Sequence, residues 1–321
     1  MRSRLAVENP ATNETYIELD MMSREEIESK IAKAADVFKE WKNTAVRDRV
    51  AVVGKFVQKI FEHRDRIALE VTSQMGKPLW QAQREVDSSA GRASYMASVA
   101  EESLRDFVTA DEAGAYRKIA FEPRGVVVDI ASWNYPLNVA MSAIAPAVLA
   151  GNTVIVKHSS YTPLCGTMFE ELFREAGAPE GVVTSITADR HSSAALFESP
   201  AVKAVFFTGS VDGGYKVNAQ ASRQLVDVGL ELGGKDPAYV RHDADLEDAA
   251  AVLADSAFYN TGQSCCAVER IYVHKSVYDT FVGMFIGEVR KFKTGDPLDK
   301  DTYIGPLTQK QTIALLEEQT K

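Results

Sequence analysis

The sequence predicts an α/β fold with a parallel sheet covered by helices on both faces, and three observations carry that prediction. Between residues 125 and 230, short apolar runs alternate with segments of helical periodicity, the pattern of successive βαβ units. Three of those runs lead into Asn134, Lys157 and Thr208-Gly209-Ser210, and ligand clefts of such folds lie at the carboxyl ends of the strands. The composition is that of a packed chain, with 45% hydrophobic and 25% charged residues among 321, a length that suits two domains of about 150 residues.

Taken in order, the first third reads as helical. Ser23-Arg24-Glu25-Glu26 forms a capping box, and Ile27, Ile31, Ala34, Ala35 and Phe38 follow at helical spacing up to Trp41. A second helix is expected over 47–75, stopped by Gly76 and Pro78, and a third over 80–107. Residues 108–116 read as a connection and 116–121 as a strand ended by Pro123. Strands are then expected at 126–130, 153–156, 182–186, 202–207 and 225–230. Between them come helices at 137–149, from Pro163 (with Thr162 as its cap) to about Gly177, at 191–197, and from Ser210 to about 222. Beyond Glu231 a helix at 246–259, a strand at 271–274 and a helix at 277–292 make a further α/β unit.

Charge and cysteine content exclude several functions. The 36 Lys and Arg against 45 Asp and Glu leave a net charge of −9, which disfavours nucleic acid and anionic membranes as partners. Cys165, Cys265 and Cys266 are the three cysteines, too few for a disulfide framework, and no Cys-x-x-Cys occurs. The five histidines show no ligand spacing, so no metal is expected. The stretch Met1 to Pro10 has Arg2 and Arg4 but no apolar core of a signal peptide, and a cytoplasmic setting is expected. The most apolar stretch, 126–156, is interrupted by Asp129, Asn134, Pro136, Asn138, Pro146 and Asn152 and reads as buried strand–helix–strand, not as a membrane span.

Four segments carry candidate chemistry, each with a bland alternative. Trp133-Asn134 places an amide donor at a strand end, where a plain turn asparagine is the commoner case. Lys157-His158-Ser159-Ser160 places an ammonium within reach of a ribose or phosphate, where a solvated lysine is commoner. Phe207-Thr208-Gly209-Ser210 is a strand, a turn and a helix start whose free amides can meet a phosphate; it lacks Gly-x-Gly-x-x-Gly and can equally be a simple serine cap. Glu231-Leu232-Gly233-Gly234-Lys235 and Gly262-Gln263-Ser264-Cys265 pair a carboxylate with a thiol; a solvated glutamate and a small buried cysteine are the bland readings.

In this order the segments resemble the aldehyde dehydrogenase superfamily, specifically its non-phosphorylating members. The resemblance runs along essentially the whole chain, from Glu8-Asn9-Pro10-Ala11-Thr12 through Met75-Gly76-Lys77-Pro78 to Gly295-Asp296-Pro297-Leu298 and Ile304-Gly305-Pro306-Leu307. It implies a Rossmann-like cofactor domain over 1–230, made of N-terminal helices at 23–107, a connection at about 108–123 and the sheet at 124–230. Residues 231–321 would be the N-terminal part of a catalytic domain. Family chains continue for another large segment, so the resemblance presents this chain as C-terminally truncated, and the full-length form as a homo-oligomer.

The resemblance also assigns roles. Cys265 would attack an aldehyde to give a thiohemiacetal, with its oxyanion held by the Asn134 side chain and the Cys265 amide. After hydride transfer to NAD or NADP, Glu231 would activate the water that hydrolyses the thioester. Cys266 is expected to pack. Lys157 would meet the adenosine ribose and Ser210 the pyrophosphate; Trp133 and Gly209 would line the cleft, Gly177 and Gly181 flank the adenine, and Leu232 and Gly233 sit near the nicotinamide. One departure concerns the cofactor. The family's usual glutamate after the lysine, which accepts the ribose hydroxyls and repels a 2′-phosphate, is Ser160 here, and His158 offers a positive partner, so NADP should be tolerated or preferred. Two competing readings remain: a catalytically silent assembly partner of the same fold, and a cofactor-free thioester hydrolase or acyl-transfer enzyme using Cys265 and Glu231.

Overall fold

A computed structural model describes residues 3–321; Met1 and Arg2, part of the stretch read above for a leader, lie outside the described residues. The chain opens with an antiparallel hairpin, β1 (Arg4–Asn9) and β2 (Glu14–Asp20), which turns through Asn13 at φ 60°. No hairpin was expected there. Asn tolerates that left-handed turn, and the strands are too exposed to show a clear apolar alternation.

Helix α1 (Arg24–Trp41) starts at the predicted capping box, with Ser23 and Glu26 bonded reciprocally. The helix expected over 47–75 is two, α2 (Val46–Glu62) and α3 (Arg64–Met75), broken at His63, whose ψ of 14° leaves the helical region. Helix α4 (Leu79–Ser103) ends before Phe107, which instead opens a hairpin of β3 (Phe107–Glu112) and β4 (Ala115–Ile119). The expected connection is therefore mostly strand, with Gly114 at φ 88° between the two strands.

The main sheet contains β5 (Val126–Ile130), β6 (Thr153–Lys157), β7 (Val183–Ile186), β8 (Val202–Thr208) and β9 (Asp227–Glu231). All are parallel, in the order β7-β6-β5-β8-β9. The winding reverses between β5 and β8, so the cleft at their carboxyl ends is a topological switch point. Leu225, expected to open the last strand, instead sits at φ 54° and is exposed. The connecting helices are α5 (Pro136–Leu149), α6 (Pro163–Glu175), the short α7 (Ala195–Glu198) and α8 (Val211–Ala221).

Both faces of this sheet are covered, which explains why its strands read as short, mostly apolar runs without alternation. Val127, Val154 and Val183 pack with helices α2 to α6, and Val126, Val128, Ile155 and Val205 pack with α1, α7 and α8. At the centre of the first layer the Phe56 and Phe173 rings stack with centroids 4.0 Å apart. Residues beyond the sheet form a parallel pair, β10 (Asp236–Val240) and β11 (Val268–Val273), covered by α9 (Leu246–Phe258) and α10 (Tyr278–Val289); a last helix, α11 (Thr312–Gln319), follows. No helix of the described residues is long and apolar enough to cross a membrane.

A buried ion pair ties the two halves of the helical layer. Lys77 and Glu85 are bonded and almost completely removed from solvent. Burial pulls the Lys77 ammonium below its usual range and Glu85 opposes that. The other Glu85 oxygen accepts from the amides of Leu137 (2.8 Å) and Asn138 (3.2 Å), at the start of α5. Glu85→Gln would leave a buried ammonium unpaired, and should cost about 3–5 kcal/mol in chemical denaturation. Replacing both partners, as Lys77→Met with Glu85→Gln, should cost much less. Equal losses would show that the charges are not the source.

Candidate active site

Three loops meet at the carboxyl end of the sheet. The first follows β5 and carries Trp133 and Asn134. The Asn134 amide donates to the Gln263 carbonyl at 3.1 Å, and its oxygen accepts from the Ser132 hydroxyl at 2.7 Å. The second follows β8. Ser210 caps α8 by accepting from the Gly213 amide at 3.1 Å, as predicted. A side chain at Gly209 would collide with the Phe207 ring, its Cβ falling 2.6 Å from Cζ. The third follows β9, where the Gly209 amide donates to the Glu231 carbonyl at 3.0 Å and the Glu231 side chain is exposed.

The thiol comes from the loop after α9. Asn260, Thr261 and Gly262 lie at φ 55°, 59° and 72°, a left-handed run that includes a β-branched residue. Strain of this kind costs on the order of 1–3 kcal/mol per residue and persists only where the surroundings fix it. Here they do. The Thr261 hydroxyl bonds both the carbonyl and the amide of Gly305, and the Thr308 amide donates to the Gln263 side chain at 3.0 Å. The run delivers Cys265 to the mouth of the cleft as an exposed thiol. Partial burial, with Cys266 adding to it, pushes that thiol above its ordinary range. The Cys265 carbonyl also lies close to Gly234, 3.3 Å from where a Cβ would stand, so the strand end that carries Glu231 passes beside the thiol loop.

One cavity of about 440 Å³ brings together Trp133, Asn134, Gly209, Ser210, Glu231, Leu232, Gly233 and Cys265. Eight of the twelve candidate positions therefore converge. Ser160 lines a neighbouring cavity, and Leu307 and Gln309 border both. Lys157 ends β6, one strand away from β5. Its ammonium is pulled down by burial and partly restored by Asp189.

Four expectations need correction. Gly177 and Gly181 precede β7, at the amino end of the sheet, opposite the cleft. Gly177, at φ 90°, ends α6, and Gly181 packs on Val37. The segment at the carboxyl end of β7 is instead 187–191, where Asp189 stands near Lys157. His158 is no positive partner for a phosphate. It is buried, bonds the Pro136 carbonyl at 2.9 Å and the Thr162 hydroxyl at 3.0 Å, and burial lowers it to about 4. Thr162, expected to cap α6, makes no side-chain cap: its hydroxyl bonds His158, and the Leu164 amide donates instead to the Gln74 side chain at 3.1 Å. Cys266, expected to pack, is exposed, and its sulfur lies 3.3 Å from the Ser264 hydroxyl.

The residues missed from the sequence are those that hold the loops. Asn260 is fully buried and donates both to the Asn134 carbonyl (2.9 Å) and to the Gln263 carbonyl (3.1 Å). An asparagine two residues before a glycine is a left-handed signal that was available. Its anchor, the Gln81 side chain, accepts from the Asn260 amide at 3.0 Å from 179 residues upstream.

Fold and cleft together define a doubly wound α/β protein with an exposed thiol at the cleft of its topological switch point. The aldehyde dehydrogenase family profile matches residues 1–321, and the chain belongs to that family. It is 36% identical over 310 residues to a 3,6-anhydro-alpha-L-galactose dehydrogenase of Vibrio sp. (strain EJY3), covering 96% of this chain and 65% of that protein. It is 33% identical over 317 residues to the succinate-semialdehyde dehydrogenase [NADP(+)] of Mycobacterium leprae, covering 98% of this chain and 69% of that one. The succinic semialdehyde dehydrogenase of Streptococcus pyogenes, solved in complex with NADP+, superposes with a TM-score of 0.94 at 30% identity, covering 98% of this chain and 70% of that one. The chain thus spans about two thirds of the length of the relatives it matches.

Proposed function

We propose that this chain carries the chemistry of aldehyde oxidation to a carboxylic acid by covalent catalysis at Cys265, with NAD or NADP as acceptor. The observation that supports this most is the convergence of Cys265, Asn134 and Glu231 on one cleft beside the capped helix at Ser210. The exposed Cys265 thiol gives up its proton to solvent, and Glu231, the carboxylate lining the same cleft, is kept for the hydrolytic step. The thiolate adds to the aldehyde carbon; the Asn134 amide leaves its bond to Gln263 and donates to the oxyanion, together with the Cys265 amide. A nicotinamide dinucleotide bound in the cleft supplies the hydride acceptor, and the thioester left on Cys265 is hydrolysed by water that Glu231 deprotonates.

The residues present fit such a cofactor. Ser210 and the free amides of α8 suit a pyrophosphate, Gly209 keeps the backbone open, and Lys157 with Ser160 suits the adenosine ribose. Residues 1–230 are taken as the cofactor-binding unit and 231–321 as catalytic. A cytoplasmic homo-oligomer belongs to the same proposal, and the relatives' names point to a small polar aldehyde as substrate. A panel of aldehydes assayed with each cofactor for aldehyde-dependent reduction tests this reading; no reduction with any pair would remove it.

Ser160 leaves a 2′-phosphate unopposed. Ser160→Glu should therefore move the ratio of kcat/KM for NAD over NADP upward by at least about ten-fold, because a carboxylate repels the roughly −1.5 to −2 charge of a phosphate. A ratio equal to that of the unaltered chain would take position 160 away from the ribose.

A further inference from the structure

The nucleophile and the oxyanion donor lie on different loops, and both loops are tied to the same buried face of α4. Gln81 and Glu85 sit one turn apart on that helix, both removed from solvent. From Gln81, the side-chain oxygen accepts from the Asn260 amide at 3.0 Å and the side-chain nitrogen donates to the Tyr303 carbonyl at 2.9 Å. Asn260 then joins the two loops directly, through its bonds to the carbonyls of Asn134 and Gln263. From Glu85, one oxygen takes the first amides of α5, immediately after Asn134. The other holds Lys77, whose ammonium lies 4.1 Å from the centre of the Tyr135 ring. The loop of Asn134 is thus held where it enters α5, and the left-handed run before Cys265 is pinned at its first residue.

We propose that Gln81 and Glu85 are positioning residues for the reaction: from one face of α4 they hold the Asn134 loop and the Cys265 loop in a single fixed relation. Neither reaches the cleft: Gln81 acts through Asn260, and Glu85 through Lys77 and the first amides of α5 that follow Asn134. This rests on the covalent reading of Cys265 and Asn134 given above. Gln81, Glu85 and Asn260 are buried, and a displacement of about 1 Å at a reacting group costs on the order of 10²-fold in rate.

The test uses a readout that needs no turnover. Butyraldehyde is titrated against the 321-residue chain, and the concentration that half-protects Cys265 from iodoacetamide is read by peptide mapping, with Cys266 as the internal reference. Gln81→Met removes the anchor of Asn260 while keeping the volume; Asn260→Gly keeps the left-handed backbone and removes the bridge, and serves if Gln81→Met does not fold. Each should raise the half-protecting concentration about ten-fold in the unaltered chain, a modest fraction of the loss a 1 Å misplacement produces. In an Asn134→Ala background each should raise it less than about two-fold, because coupled residues are not additive. Equal ten-fold effects in both backgrounds, or none in the first, would overturn the positioning role while leaving Asn134 as the donor. Asn134→Ala with no effect of its own would overturn the donor assignment, and the positioning role with it.

Discussion

Cys265→Ser should lower aldehyde-dependent reduction of NAD(P)+ by at least about 10⁴-fold, the scale on which removing a covalent nucleophile acts. A serine hydroxyl is not ionised near neutrality, whereas a thiol with an ordinary value of about 8.5 supplies a thiolate fraction. Cofactor affinity should stay within a factor of about two, since the groups at Ser210 and Lys157 are untouched. The neighbouring thiol is a strict control. Cys266 is exposed beside Ser264 and touches Cys265, so the sequence order alone does not decide between them. Cys266→Ser should keep most of the activity; the reverse outcome for the two variants would move the nucleophile by one residue. The raised Cys265 thiol adds a direction: in the variant lacking Cys266 its alkylation should speed up, because a contributor to that rise has been removed.

Glu231→Gln should separate the two halves of the reaction. General bases contribute about 10²–10⁴-fold, and their loss stalls the step that needs them. A stoichiometric burst of reduced cofactor followed by steady turnover at least about 10²-fold slower is expected, measured by stopped-flow absorbance. A variant with neither burst nor turnover would place Glu231 earlier, as the group that takes the Cys265 proton. Turnover equal to the unaltered chain would remove it from both roles.

The sheet and the chemical groups were legible in the sequence for physical reasons. Strands β5 to β7 are buried almost throughout, so they read as short runs with few charges, and Ser210 sits where a polar cap follows a strand. The hairpins β1–β2 and β3–β4 were not fully legible because their residues are mostly exposed, and exposure erases alternation. His158 shows the limit for charge: its sequence neighbours say nothing of the Pro136 carbonyl and Thr162 hydroxyl that hold it buried. Gly177 and Gly181 show the limit for motifs, since a glycine that ends a helix looks the same on paper as one that lines a cleft. Gln81 and Glu85 were invisible because their partners lie 179 and 52 residues away in sequence.

The most direct measurement is the acyl group itself. The Glu231→Gln chain is mixed with an aldehyde and NAD(P)+, quenched in acid and digested, and the peptide carrying Cys265 and Cys266 is fragmented by mass spectrometry. Covalent catalysis at Cys265 predicts an acyl adduct on that sulfur, formed only when aldehyde and cofactor are both present. Reduced cofactor accumulating with no adduct, or with the adduct on Cys266, would contradict it.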